Sequence, residues 1–103
     1  MEYKIVVPEP VLDDIVEISK WYDLQVPGLS VLFENRLDET INKLQTHPQA
    51  FSLSYFDCRK AKLKVFPYYV FFKITHDEVK LYAIIHTKRS IRFMKRRLRR
   101  YGT

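Results

Sequence analysis

The run Tyr68–Ile74, YYVFFKI, limits the fold of this chain more than any other segment. It is apolar almost throughout and rich in aromatic and β-branched residues, the composition of a central strand covered on both faces. The runs on either side alternate. In the run from Arg59, Ala61, Leu63 and Val65 point one way and Lys60, Lys62 and Lys64 the other. Val79, Leu81, Ala83 and Ile85 alternate with Lys80, Tyr82, Ile84 and His86. Phe66-Pro67-Tyr68 and His76-Asp77-Glu78 separate the three runs, so a small sheet is expected. One face would carry the aliphatic sets and the other lysines, aromatics and His86.

The first half supplies the covering layer. Glu2–Val7 reads as a short strand with Tyr3, Ile5 and Val7 on one face, stopped by Pro8 and Pro10. Pro10 suits the first turn of a helix, where its missing N–H costs nothing. Val11, Ile15, Ile18 and Tyr22 then form a helical stripe, with Asp13, Asp14 and Glu17 placed near the positive end of the helix dipole. Pro27-Gly28 ends that helix. A second stripe, Leu29, Leu32, Phe33, Leu37, Ile41 and Leu44, runs to about Thr46 before His47-Pro48. Ile91, Met94 and Leu98 mark a short, basic C-terminal helix. The expected fold is α+β, with an N-terminal strand and a helical hairpin packed on a twisted, mainly antiparallel sheet. Residues 1–103 are expected to form a single domain.

Charge narrows the partners. The chain has 18 Lys/Arg and 12 Asp/Glu. Eight of the cations, and no acid, lie between Lys88 and Thr103, which leaves ten cations against twelve acids and a net charge of −2 for the rest. A near-neutral body with a cationic tail favours nucleic acid, phosphate or an acidic protein. No apolar run reaches membrane-spanning length, and the opening MEYKIVVPEPVLDD has no signal-peptide pattern. Cys58 has no second cysteine to pair with, which fits a reducing cytoplasm. His47, His76 and His86 are scattered, so no metal site is expected. With only Gly28 and Gly102, there is no phosphate-binding glycine loop, and no cofactor is expected.

Lys60, Lys62 and Lys64 are placed to grip phosphates, though lysines on the outer face of a strand look the same. Arg89 can make bidentate phosphate contacts and His86 can exchange protons near neutral pH. Tyr68 and Tyr69 have the rings for base stacking, although buried aromatics are the commoner occupants of such a strand.

The order of these pieces resembles the RelE/ParE superfamily of toxins from type II toxin–antitoxin (plasmid stabilisation) operons. The resemblance runs from the first strand through DDIVEISKWYD, LQTHPQAF, RKAKLKVFPYYVFFKI and DEVKLYAIIHTKRS, nearly the whole chain. It implies a toxin neutralised by a cognate acidic antitoxin, in a complex that can be oligomeric. In RelE-like members, which cleave mRNA on the ribosome, basic residues assist attack of the 2′-hydroxyl on the adjacent phosphate. Lys60, Lys62, His86 and Arg89 are the catalytic candidates on that reading. Yet Tyr69 stands where those enzymes usually carry a strand arginine, and Phe93 or Lys95 stands near their C-terminal tyrosine. These departures, with Phe66-Pro67-Tyr68, resemble the ParE branch, which inhibits DNA gyrase by binding. Lys64, Tyr69, Arg92, Lys95, Arg96 and Arg97 are then the target- or antitoxin-binding candidates. A third reading is a non-toxic member that binds only antitoxin and DNA.

Overall fold

The computed structural model describes residues 2–102. Its elements run β1 (Lys4–Val6), α1 (Glu9–Gln25), α2 (Leu29–Thr46), β2 (Arg59–Lys62), β3 (Tyr68–Thr75), β4 (Glu78–His86) and α3 (Ile91–Gly102). The sheet order is β1-β4-β3-β2. β1 joins β4 in parallel through Lys4–Val6 and Glu78–Lys80, while β2–β3 and β3–β4 are antiparallel. The expected α+β architecture is therefore present, and YYVFFKI lies within β3, flanked on both sides by other strands.

α1 and α2 cover one face of the sheet. Val11, Ile18, Phe33, Leu37 and Leu44 bury their side chains against Ala61, Leu63, Val70, Phe72, Val79, Leu81 and Ile84. The hairpin turns at Gly28, whose φ of 88° is the left-handed conformation that glycine adopts without a Cβ penalty. Asp23 braces the turn by accepting hydrogen bonds from the Ser30 N–H (3.0 Å) and hydroxyl (2.8 Å). The Ser30 N–H holds the Asp23 carboxyl below its usual pKa. Tyr22 sits under this layer, its ring 4.9 Å from Phe66, 5.8 Å from Phe33 and 6.3 Å from Tyr68.

The alternation expected for β4 breaks halfway. Phe71 pairs with Ala83 but Phe72 pairs with Leu81, leaving Tyr82 as an extra residue, a β-bulge. Because side chains alternate with period two, one extra residue reverses every later side chain. Val79 and Leu81 face the hairpin as expected, but beyond the bulge Ile84 replaces Ala83 and Ile85 on that face. Ala83 and Ile85 turn to the opposite face. There they join Cys58, Phe71, Met94 and Leu98 in a second apolar cluster.

That second face is not open, because α3 lies on it. Met94 and Leu98, from the expected stripe, are buried, while Ile91 remains exposed. Asp14 ties this helix to the rest. Its carboxylate accepts from the two terminal guanidinium nitrogens of Arg97, Nη1 at 2.9 Å and Nη2 at 2.6 Å, and from the backbone N–H of Ile84 at 3.1 Å. Asp14 thus joins α1, the outer edge of β4 and α3. This contrasts with the helix-dipole role expected for it, since the acid in the first turn of α1 is Glu9.

Candidate functional site

Beyond Lys80 the outer edge of β4 has no strand beside it. A groove of about 770 Å³ opens there, lined by Asp14, Glu17, Trp21 and Tyr22 of α1, by Tyr68 and Ile84–His86 of the sheet, and by Arg89, Phe93 and Arg97. The hairpin supplies one wall, the sheet edge the floor and the start of α3 the other wall. Trp21 is 53% exposed at its rim.

The groove is polar at one end. The His86 ring lies edge-on to Tyr68, with centroids 5.2 Å apart. His86 Nδ1 accepts the Lys88 N–H at 3.0 Å, which places the proton of the neutral ring on Nε2. Arg89 stacks its guanidinium 4.4 Å from the Phe93 centroid. Burial is the main cause that raises the pKa of Tyr22, to about 12, with Tyr68 adding to the shift. Burial likewise raises Tyr68, partly offset by its hydrogen bond with Tyr22 and by Arg89. Both phenols therefore remain neutral donors at physiological pH.

The residues singled out from the sequence fall into two groups. His86, Arg89 and Arg97 line the groove. Lys60 and Lys62 alternate with the buried Ala61 and Leu63, so they project from the other face of the sheet, where Lys60 Nζ lies 4.6 Å from the Tyr69 ring centroid. Lys64 is exposed in the β2–β3 connection, beside Val65, whose φ is 74°. Arg92, Lys95 and Arg96 are exposed on α3, whereas Arg97 turns inward to Asp14. The bulge at Tyr82 is the physical reason that His86 and the lysine row, expected on one face, are on opposite faces. Nothing in the sequence alone marks Trp21, Tyr22 and Asp14 as parts of a site. Trp21 lies off the apolar stripe of α1, which is the signal that pointed outward.

Among the described residues no cluster of histidine, cysteine or acidic side chains is suited to hold a metal ion. No described helix is long and apolar enough to cross a membrane.

The fold resembles that of a solved chain of the chromosomal ParDE TA system from P. aeruginosa. The two superpose with a TM-score of 0.75 over 84% of this chain and 98% of that one, at 15% sequence identity, a likeness of fold. Residues 5–91 match the profile described as ParE toxin of type II toxin-antitoxin system, parDE. The chain belongs to this ParE toxin family. The search of curated protein sequences found no match.

Proposed function

We propose that this protein is the toxin of a type II toxin–antitoxin pair and that it acts by binding DNA gyrase rather than by cutting RNA. The observation that carries the choice is the division of the cationic groups. An RNA-cleaving site needs its proton-transfer and charge-stabilising groups around one phosphate. Lys60 and Lys62 lie on β2, on the α3 side of the sheet, while His86 and Arg89 line the groove beyond the outer edge of β4, with β3 and β4 between the two groups. Tyr69 offers a ring already covered by Lys60 in place of a guanidinium.

The groove is the seat proposed for an acidic antitoxin segment. Trp21 offers an apolar anchor and Arg89 supplies positive charge, while the Ile84 N–H at its edge is already held by Asp14, so side-chain contacts rather than an added strand would seat the segment. Lys64, Tyr69, Arg92, Lys95 and Arg96 remain candidates for contact with the target or antitoxin.

The test is DNA supercoiling by purified gyrase with increasing amounts of the purified toxin. Inhibition that is relieved by the acidic protein encoded beside it is the expected result. Undiminished supercoiling, with cleaved ribosome-bound mRNA after induction, would establish the interferase reading instead.

A further inference from the structure

We infer that the α3 side of the molecule is a docking surface for the phosphate backbone of duplex DNA, engaged by Arg92, Lys95, Arg96 and Arg99. All four side chains are exposed, and among the described residues none of them has an ion-pair partner. Most of α3 lies beyond the residues that match the family profile. The space between these side chains, about 490 Å³, is lined by Ile91 and the same four cations alone. Lys60, Lys73 and Lys80 add positive charge to the same side of the sheet.

The aromatic residues of this side separate a duplex from a single strand. Sequence-tolerant binding of single strands relies on open ring faces on which bases stack. Here each ring is already faced by a cation of the protein. Lys60 lies 4.6 Å from the centroid of Tyr69, Lys73 and Lys80 lie 5.4 and 5.6 Å from that of Tyr82, and Lys95 lies 5.3 Å from Tyr55. Arg99 lies 5.5 Å from Phe56. These contacts hold the cationic heads in place while occupying the stacking surfaces. What remains for a partner is a row of charge in which Lys95 and Arg99 are held against rings.

The outward row also lacks what an acidic peptide needs. Peptide docking takes its affinity from apolar anchor sites or an open strand edge as well as charge; a helix offers no strand edge, and Ile91 is the one apolar residue in the row's lining. Arg92 to Arg99 span seven helical rises, about 10 Å along the axis of α3. A duplex, with one negative charge per about 1.7 Å of axis, puts several phosphates within reach of such a row.

The test uses the whole 103-residue chain and no gyrase, so its failure leaves the gyrase proposal standing. Fluorescence anisotropy would follow binding to a mixed-sequence duplex of about 20 base pairs across a salt series. Four phosphate contacts predict a slope of about −3.6 in log K against log salt, and so a loss of about 150-fold between roughly 50 and 200 mM. Replacing Arg92, Lys95, Arg96 and Arg99 together by Gln should abolish that slope and leave the thermal midpoint unchanged, because Met94, Arg97 and Leu98 still anchor the helix. Gln at Lys4, Lys20 and Lys43, which lie elsewhere, should leave the slope near −3.6. Absence of duplex binding at low salt, an unchanged slope in the α3 variant, or an equal loss in the control would each overturn the inference. So would binding of single-stranded RNA or polyglutamate as tight as that of the duplex.

Discussion

Removing Asp14 should loosen the molecule well beyond α1. Its carboxylate accepts three hydrogen bonds, two from Arg97 and one from Ile84, and the two side chains are only 15% and 18% exposed. Exposed ion pairs contribute about 0–1 kcal/mol, and breaking fully buried ones costs about 3–5. A pair of this exposure falls between, and Asp14→Ala also leaves the Ile84 N–H without its acceptor, so a loss of about 2–3 kcal/mol is expected. For a chain of this size that lowers the melting temperature by about 10–20 °C. Asp14→Asn keeps an acceptor for Ile84 without the charge and should lie between the two. The assay is thermal and urea unfolding of Asp14→Ala, Arg97→Ala and the double variant. The double variant should lose clearly less than the sum of the single losses, because the second substitution removes a group already deprived of its partner. Additivity within about 0.5 kcal/mol, or single variants as stable as the parent, would refute the account of α3 as tied down through this carboxylate.

Two further outcomes follow from the backbone and the groove. Val65 has φ 74° and is 72% exposed, so Val65→Gly should stabilise the protein by about 1 kcal/mol in urea unfolding, since a left-handed β-branched residue costs more than its exposed side chain returns; a loss of stability would contradict this. Because the Tyr22 pKa is raised to about 12, its contribution to stability is complete below pH 10 and is lost as the pH rises from 10 towards 12. Tyr22→Phe should show a shallower alkaline decline in unfolding free energy than the parent, and an identical decline would argue against burial of this phenol.

Much of the architecture was legible along the chain because local periodicity reports which face an element buries. The stripes of α1 and α2, the proline and glycine stops between them, and the apolar β3 run each follow from side-chain direction and backbone restriction within a few residues. The groove was only partly legible. His86 and Arg89 stood out as chemistry-bearing residues, but Trp21 and Tyr22 come from a helix more than 60 residues away in sequence. No local pattern announces such a meeting.

By itself, then, the sequence determined the order of elements, the α+β class and the cationic character of the C-terminal helix. Tertiary structure decided which side of the sheet each functional group occupies. One extra residue at Tyr82 reverses β4, sends Ala83 and Ile85 under α3, and separates His86 from Lys60 and Lys62. Whether an alternating strand contains a bulge depends on its pairing with β3, and pairing between strands is a property of the folded sheet.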